Sequence, residues 1–600
     1  MSGEKSSLGS QKNNKFKYIF ALIFILVFPW LTVNEFFIFV AQTFCYTAIA
    51  VIGLNLLLGL SGQMSLGQAG FYALGAYGSA LTSLHFGWPL ILSIIFGTLV
   101  AAVGGLVVGT YALRTRGLYL AMTTLAFGYV IDILAQRWVD LTGGTMGLIG
   151  ISQFEGFGPI SGAVMLLYVA GLSLLCAQVI SDYINETRIG RGLRAIRESE
   201  VFAASVGIQT QVWKTLIFGF SAALAGLGGA LFVHQSGYVG SDAFTVRLSI
   251  ALLIAVVIGG LGSRSGPIIG TLILLGIVEL IAGVHKYGLI IYGSILLVVL
   301  LAFPKGASGI LESALGLIRR KEPLVPDSFL DITSEDIELA LSGLEQHSTS
   351  ITLQQVSKSY SGVKAVDKIS IDIKKGQVHG LIGPNGAGKS TVINMIAGIY
   401  VPDNGRVLIG DKDMSGLGVA KRAQSGLVRT FQNLQLIEGV SVLDNVLLGV
   451  QSKRGEFKCF ANWLMGQPTE IPEKKRALSI LRFLKIAHLA NRLPSELPYG
   501  HRKLLELARA IAQGPRILLL DEPVAGMNSQ EAKEIASVIT RLRERGVTIL
   551  LVEHNMEFVM SVCDQISVLN FGQLIAQGTP TVIQSNPDVI AAYFGTGKEA

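Results

Sequence analysis

Hydrophobic positions are distributed unevenly along this chain. Long apolar runs rich in Leu, Ile, Val, Gly and Ala fill most of the chain before residue 305, with short polar segments between them. A helix needs about 20 apolar residues to cross the hydrocarbon core of a membrane. The sequence therefore predicts about ten membrane-spanning helices, at residues 18–33, 36–60, 67–85, 88–113, 117–136, 162–184, 214–234, 248–262, 266–284 and 288–303.

The pattern changes in the second half of the chain. Residues 306–349 contain Pro and acidic residues without strand patterning, and they predict a linker with a helix within 332–344. From Ile351 onward, short β-branched runs alternate with glycine-containing turns, which is typical of strands in an α/β domain. We therefore expect a membrane domain at 1–305, a linker at 306–349 and a second domain at 350–600.

Composition agrees with a membrane protein. Half of the 600 residues are hydrophobic and only 15% are charged, whereas about a quarter are charged in ordinary soluble domains. The four cysteines are widely scattered, so neither a disulfide framework nor a metal-binding spacing is indicated. The net charge of +7 does not require nucleic acid as a partner, because cytoplasmic loops of membrane proteins collect Lys and Arg.

The charges between the apolar runs predict an orientation. Placing the N-terminus in the cytoplasm puts most basic loops on that side, and an even number of spans returns the chain there, where ATP is found. The longest basic loop, 188–214, contains Arg194, Arg197 and Ala203 in a segment from Leu193 to Val206 that predicts one helix. We expect a motor domain to dock on this helix and to move the membrane helices through it.

Two kinds of residue within the predicted spans attract attention. Small residues recur every four positions in 97–109 and 222–230, which predicts close packing of helix backbones. Asp132 and Glu279 are ionisable groups within spans, where charge is costly. Each is a candidate for the translocation path, and the alternative is a position near the membrane surface or a bond to a neighbouring helix.

The segment LIGPNGAGKST (381–391) predicts a phosphate-binding loop. The glycines allow the backbone N–H groups to point at phosphate, Lys389 reaches the β- and γ-phosphates, and the hydroxyl of Ser390 is a ligand for Mg²⁺. The predicted nucleotide-binding residues are Gly383, Pro384, Asn385, Gly386, Ala387, Gly388, Lys389, Ser390 and Thr391.

A second strand, RILLLDEP (516–523), ends in two carboxylates. We expect Asp521 to hold Mg²⁺ and Glu522 to polarise the attacking water, because phosphoryl transfer depends on positioning and charge stabilisation. A third strand, VTILLVEH (547–554), ends at His554, for which we expect a contact with the γ-phosphate.

The order of GPNGAGKST, VRTFQ (428–432), LPYGHRKLLELARA (497–510), ILLLDEP and VEH resembles that of an ABC-type ATPase, over residues 351–597. The resemblance implies a RecA-like α/β fold, stacking of Tyr360 on adenine, and a Gln432 that links the γ-phosphate and Mg²⁺ to the membrane domain. It also implies that a signature loop closes on the nucleotide of a partner subunit. The corresponding residues are Leu497, Pro498, Tyr499, Gly500 and His501, in which Pro498 replaces the usual serine and His501 the usual glutamine.

Three further segments narrow this resemblance. Residues 53–81, 141–148 and 191–208 look like the permease of branched-chain amino acid uptake systems, and the LPYG signature with the closing NPDVIAAYFG (586–595) is similar to one of their ATPases. The resemblance implies an all-α polytopic permease fused to its ATPase in the bacterial inner membrane. It implies ATP and Mg²⁺ as cofactors and a periplasmic solute-binding protein as a partner. It also implies either a second permease and ATPase or a second copy of this chain.

Other functions fit parts of the sequence. A homodimeric exporter also joins a membrane domain to an ATPase, although exporter halves have six long spans. A membrane-anchored ATPase that does mechanical work needs fewer helices than this chain predicts. Related systems import urea or short amides, and the residues leave the choice between these substrates and amino acids open.

Overall fold

The computed structural model describes residues 4–32, 34–112, 117–281, 293–294, 297, 306–309, 333–342, 349–450 and 471–594, with the backbone alone at 4–16, 278–281 and 594. The first half is helical, and nine of the ten predicted spans coincide with helices. The tenth, 288–303, lies almost wholly outside the described residues. The helices are α1 (Glu4–Leu31), α2 (Glu35–Leu54, continued by a π-helical turn Asn55–Leu60), α3 (Gln68–Phe86), α4 (Leu90–Ala112), α5 (Leu118–Arg137), α6 (Val139–Thr142), α7 (Gly162–Glu186), α8 (Arg188–Glu198), α9 (Glu200–Ser205), α10 (Thr210–Ser236), α11 (Val246–Gly259) and α12 (Gly266–Ile281).

Five stretches of described helix are long and apolar enough to cross a membrane. They are Glu35–Leu60, Leu90–Ala112, Leu118–Arg137, Gly162–Glu186 and Thr210–Ser236, with shorter apolar helices at Lys17–Leu31, Val246–Gly259 and Gly266–Ile277. Two short strands, β1 (Leu148–Ile149) and β2 (Tyr238–Val239), pair antiparallel where the loop after α6 meets the end of α10. The first half is therefore a helical membrane bundle.

Helices α3, α4 and α10 pack closely because small residues line their contacts. A Cβ atom at Gly105 would lie 2.3 Å from the Cβ of Ala222, and one at Gly226 would lie 2.2 Å from the Cβ of Ala101. Real side chains do not approach so closely, so only glycine permits these crossings. The prediction that the small-residue series pack helix against helix is confirmed.

The prediction of one helix across residues 193–206 is wrong. The structure divides this stretch between α8 and α9, because Ser199 adopts extended backbone angles (φ −161°, ψ 123°) and interrupts the helical hydrogen bonds. The Oγ of Ser199 accepts a hydrogen bond from the N–H of Phe202 at 3.3 Å. Ser199 is thus the N-cap of α9, a role that serine side chains commonly fill.

The second half contains two sheets. A six-stranded sheet has the order β12-β11-β5-β10-β9-β8 and is parallel except for β12, while an antiparallel sheet has the order β4-β3-β6-β7. The strands are β3 (Ile351–Tyr360), β4 (Val363–Ile373), β5 (Val378–Ile382), β6 (Asn404–Ile409), β7 (Lys412–Asp413), β8 (Leu427–Arg429), β9 (Ile517–Asp521), β10 (Thr548–Val552), β11 (Gln565–Asn570) and β12 (Gln573–Gly578). Neighbouring parallel strands bring the carboxyl ends of β5, β9 and β10 to one edge, where α/β proteins bind ligands.

The helices of this half cover the sheets. They are α13 (Ser334–Leu341), α14 (Lys389–Ala397), α15 (Val419–Gln424), α16 (Val442–Gly449), α17 (Ile471–Phe483), α18 (Tyr499–Ala512), α19 (Ser529–Glu544), α20 (Met556–Val562), α21 (Pro580–Gln584) and α22 (Pro587–Phe594). Helix α13 lies within the stretch 332–344, so the helix expected there is confirmed. Its Glu338 carboxylate accepts from Arg545 at 2.6 Å, and its Asp336 lies 2.7 Å from Lys475, so α13 packs against the second half.

Candidate functional site

The phosphate-binding loop lies between β5 and α14 and depends on its glycines. Gly383, Gly386 and Gly388 have φ angles of 152°, 81° and 100°, which residues other than glycine rarely adopt. A Cβ atom at Gly383 would lie 2.2 Å from the carbonyl oxygen of Leu569, and one at Gly388 would lie 2.5 Å from that of Ala365. The loop is therefore shaped by close backbone contacts on both of its sides.

Lys389 folds back into this loop. Its Nζ donates to the carbonyl oxygens of Gly383 at 2.7 Å and Pro384 at 2.9 Å. Burial lowers the pKa of the ammonium group, while the nearby carboxylates of Glu522 and Asp521 act in the opposite direction. Phosphate oxygens that enter the loop can replace the two carbonyls as acceptors for this cation.

The remaining loop residues differ in exposure. Asn385 and Gly386 are exposed at the tip, Pro384 and Thr391 are half-buried, and Ala387 is buried beneath them. Ser390 is exposed in the first turn of α14, at the end of the helix where an anion is favoured.

Asp521, at the end of β9, is buried against a cation. Arg429 at the end of β8 donates from Nη2 to Oδ2 of Asp521 at 2.9 Å, and its Nη1 donates to the side-chain oxygen of Asn394 on α14. Arg429 thus ties the end of β9 to the helix that begins at the phosphate-binding loop. Nothing in the sequence pattern singled out Arg429.

Glu522 adopts an unusual backbone conformation. Its φ of 49° is left-handed, which is uncommon outside glycine and often marks a functional position. Its N–H donates to the carbonyl of Val552 on β10 at 2.9 Å. Its Oε1 accepts from Nε2 of Gln432 at 3.1 Å and lies 3.3 Å from Nε2 of His554. The structure therefore brings together three residues that the sequence placed far apart.

His554 is positioned by the residue before it. The buried carboxylate of Glu553 accepts from the N–H groups of His554 at 2.7 Å and Asn555 at 3.2 Å, and from the N–H of Val524 at 3.0 Å. Glu553 therefore fixes the loop after β10 to the loop after β9. The sequence offered one signal for it, a carboxylate directly before the histidine.

Tyr360 and the signature residues lie in different parts of this half. The Tyr360 ring is 38% exposed at the end of β3 and meets the Tyr400 ring edge-on at 5.5 Å. Leu497 is buried and Tyr499 is exposed. Pro498 is the N-cap of α18 without a side-chain hydrogen bond, and His501 is half-buried. Further along α18, Lys503 donates to the carbonyl of Gln432 at 3.2 Å.

Helices α8 and α9 contact the second half directly. The Arg191 guanidinium lies 3.5 Å from the Asp444 carboxylate at the start of α16. The ring of Phe202, which is wholly buried, lies 4.1 Å from the guanidinium carbon of Arg509 on α18. Just after α9, the carbonyl of Gly207 accepts from Nε2 of Gln424 at 2.9 Å.

Arg194 and Arg197, which the sequence assigns to the same coupling segment, bond to the membrane bundle. Arg194 donates to the side-chain oxygen of Asn185 at 2.9 Å, and Arg197 donates to the carbonyl of Gly59 at 2.6 Å. Both cations therefore hold α8 to the membrane bundle, because the helix turns this face inward. Ala203 is wholly buried in the same region.

Behind Phe202 lies a buried ion pair. Glu506 and Arg509, both on α18, are 3.7 Å apart and about 1–2% exposed. Burial raises the pKa of Glu506 and lowers that of Arg509 to about 10, and each charge opposes the shift of the other. Glu506 also accepts from the N–H of Phe431 at 3.0 Å, and Arg509 donates to the carbonyl of Gln435. The pair thus joins Phe202 to the segment that carries Gln432.

Comparison with known proteins identifies the family of this chain. Residues 36–300 match a family described as the permease component of branched-chain amino acid transport systems. Residues 366–525 match the ABC transporter family, and residues 573–599 match a branched-chain amino acid ATP-binding cassette family. The high-affinity branched-chain amino acid transport ATP-binding protein LivG of Salmonella typhimurium is 39% identical over 39% of this chain and 94% of its own length.

The chain belongs to the branched-chain amino acid ABC transporter family. The corresponding protein BraF of Pseudomonas aeruginosa is also 39% identical, over 39% of this chain and 94% of its own length. A solved nucleotide-free ATP-binding cassette from an ABC transporter is 34% identical, covers 41% of this chain and all of its own, and has a TM-score of 0.37. This transporter joins a permease and an ATPase that couples ATP hydrolysis to transport.

The structure describes the side chain of only one of the two ionisable residues predicted within the spans of this transporter. Asp132 lies on α5, accepts from Nε2 of Gln136 one turn along at 3.0 Å, and borders a small cavity with Tyr129 and Ser249. Glu279 belongs to α12, where the structure describes its backbone but not its side chain. A role in translocation stays a prediction for both.

The residues assigned to Mg²⁺ are chemically suited to it. Ser390, Gln432 and Asp521 supply oxygen atoms, the donor type that Mg²⁺ prefers. No cluster of three His, Cys, Asp or Glu side chains fit to hold a metal occurs in the described ranges. Mg²⁺ takes six ligands, so three side chains leave positions for phosphate oxygens of the nucleotide and for water.

Proposed function

We propose that this chain imports branched-chain amino acids across the bacterial inner membrane, driven by ATP hydrolysis and supplied by a periplasmic solute-binding protein. The observation that carries the proposal is the direct contact between its two halves. Phe202 and Gly207 of the permease meet Arg509 and Gln424 of the ATPase, next to the segment of Gln432. LivG and BraF, which are named as branched-chain amino acid transport proteins, support the substrate class.

The proposal assigns residues 1–305 to the permease, 306–349 to a linker and 350–600 to the ATP-binding domain. The N-terminus and the ATP-binding domain are cytoplasmic. Arg191 supports this orientation, because this residue of the basic loop contacts Asp444 of the ATPase, and basic loops lie on the cytoplasmic side.

At the nucleotide, residues 383–391 bind the phosphates and Tyr360 stacks on the adenine. Ser390, Gln432 and Asp521 would hold Mg²⁺, which would supply positive charge to stabilise the phosphates. Glu522 polarises the attacking water, and its contacts with Gln432 and His554 keep its carboxylate at the phosphate end of the site. Gln432 reports the state of the γ-phosphate to the permease.

The chain supplies half of each composite site. Residues 497–501 close on the nucleotide of a partner ATPase, and the partner's signature closes on the nucleotide bound here. The partner is either a second permease with its ATPase or a second copy of this chain.

The test is ATP hydrolysis and uptake by the reconstituted transporter. Proteoliposomes with the binding protein are given Leu, Ile or Val, and in parallel other amino acids, urea and short amides. We expect hydrolysis and uptake to rise with the branched-chain amino acids and to vanish in the E522Q variant. Stimulation by urea or amides alone would assign the transporter to the related systems, and outward movement of substrate would contradict import.

A further inference from the structure

Arg422, on the short helix α15, is a fully buried cation with an unusual set of partners. Its Nε donates to the carbonyl of Leu417 at 2.8 Å, its Nη1 to those of Met395 at 2.6 Å and Ile396 at 2.8 Å, and its Nη2 to that of Ser415 at 3.2 Å. Its relative exposure is 0%. Among the described residues, every hydrogen-bond partner of the Arg422 guanidinium is thus a main-chain carbonyl.

Two of these carbonyls belong to the last turn of α14, the helix that starts at the phosphate-binding loop. The final carbonyls of a helix lack partners within the helix, and a cation there is favoured by the helix dipole. Gly398, directly after α14, makes room for the arginine, since a Cβ atom there would lie 2.7 Å from Nε of Arg422. Arg422 therefore fixes one end of a helix whose other end binds phosphate.

The burial of Arg422 has a cost that these bonds help to offset. Burial lowers the pKa of its guanidinium to about 10, and Asp413 opposes that shift. A buried charge without hydrogen bonds is strongly unfavourable, so the carbonyls and the guanidinium hold each other in place. A shift of α15 must then either move the end of α14 or break these bonds.

The same short helix also binds the permease. Gln424, two residues after Arg422, donates to the carbonyl of Gly207 at 2.9 Å. A small cavity at this junction is lined by Ser205 of the permease together with Ala397, the last residue of α14, and Val419 of α15. The strand that follows α15 carries Arg429, which binds Asp521 and Asn394.

We infer that Arg422 is a positioning residue through which docking of the permease on α15 is transmitted to the phosphate-binding loop. The permease contacts α15 through Gln424, and Arg422 transfers that contact to the C-terminal end of α14. The inference deepens the proposed function, because it names a route by which the membrane helices influence the bound nucleotide.

The first test changes Arg422 and measures MgATP binding to the full chain in nanodiscs, in the E522Q background so that the ligand is not consumed. Arg422→Lys keeps the charge but cannot reach carbonyls in four directions, since an ammonium group is a point charge and a guanidinium is a planar fork. We expect the Kd to rise about fivefold or more. Lys421→Met, an exposed neighbour on α15, is the matched control and should leave the Kd unchanged.

The second test is a double-mutant cycle between Gln424 and Arg422. Gln424→Ala removes the contact with Gly207, and we expect it to raise the Kd about twofold to threefold when Arg422 is present. In the R422K background the same change should have no effect, because the route to α14 is already broken. Independent changes would instead add.

Three results would overturn the inference: an unchanged Kd in R422K, an unchanged Kd in Q424A, or additive effects of the two. A purely structural role of Arg422 would lower the thermal stability and the folded fraction while leaving the Kd of the folded protein unchanged. The readout uses no amino acid and no binding protein. The test therefore remains valid even if the proposed substrate proves to be wrong.

Discussion

The ring of Phe202 lies 4.1 Å from the guanidinium carbon of Arg509, so an aromatic side chain of the permease is stacked on a buried cation of the ATPase. Arg509 belongs to α18, the helix that begins in the signature segment, and it is paired with Glu506, which binds the N–H of Phe431. A cation over an aromatic face is attractive, and more so when water is excluded. The contact therefore joins the permease to both the signature helix and the Gln432 segment.

Phe202→Ala should uncouple the two halves. The change removes the ring from a fully buried position and leaves Arg509 without its aromatic neighbour, so movement of α9 is no longer passed to α18. We expect basal ATP hydrolysis to persist, while hydrolysis stimulated by substrate and binding protein falls about fivefold or more. The control is Val201→Ala on the same helix, whose side chain is 40% exposed. An unchanged stimulation in F202A would remove Phe202 from the coupling route.

Glu522→Gln and Lys389→Ala should separate hydrolysis from binding. The glutamine keeps the shape of the side chain but loses the charge that polarises water, so we expect normal ATP affinity and a turnover at least about a hundredfold lower. Loss of Lys389 removes the cation inside the phosphate-binding loop and should weaken nucleotide binding itself. Equilibrium ATP binding and single-turnover hydrolysis check both results. Normal turnover in E522Q would show that the catalytic carboxylate lies elsewhere.

The signature segment predicts an inequality between the two composite sites of a heterodimer. Pro498 has neither a hydroxyl nor an N–H, and in the structure it caps α18 without a side-chain hydrogen bond. The nucleotide on the partner, which this signature closes on, should therefore be hydrolysed more slowly than the nucleotide bound by this chain. Disabling each subunit's catalytic glutamate in turn measures the two rates, and Pro498→Ser should raise the slower one. Equal losses would contradict the inequality, and a functional homodimer would remove its basis.

His379 should make the ATP-binding half less stable in mild acid. The side chain is fully buried on β5, its Nε2 lies 2.9 Å from the hydroxyl of Ser567, and burial lowers the pKa of the imidazole to about 4. The unfolded chain has a histidine pKa of about 6.5 and takes up the proton first. Stability is therefore complete above a pH of about 6.5 and declines as the pH falls towards 4, by up to about 3 kcal/mol.

This dependence is measured as the free energy of unfolding from hydrogen exchange of the β5 amides in the full chain. His379→Gln retains a polar group for Ser567 and cannot titrate, so the decline between about pH 6.5 and 4 should shrink. His488→Gln, at an exposed histidine, is the control and should leave the decline as it is. An identical pH profile in H379Q and the unaltered chain would exclude His379 as its source.

Much of the fold could be predicted because its signals are local. Apart from the start of α1, the apolar runs predicted the ends of the described membrane helices to within a few residues, and the glycine pattern at 383–388 predicted the phosphate-binding loop. The prediction for residues 193–206 failed because helix propensity alone does not show that Ser199 will cap a new helix. Helical spacing also did not show which face of α8 turns to the bundle, and the structure places Arg194 and Arg197 on that face.

The sequence by itself determined the two-part architecture, the family and the chemical types at the nucleotide site, because these depend on residues that are adjacent or regularly spaced. Only the tertiary structure decided which distant residues meet. The tertiary structure brings Gln432 and His554 into contact with Glu522. It also brings Arg422 to the end of α14 and Phe202 against Arg509. Each of these contacts joins segments that are far apart along the chain, and no regular spacing in the sequence predicts that they meet. The packing of strands and helices brings them together, and no local pattern records it.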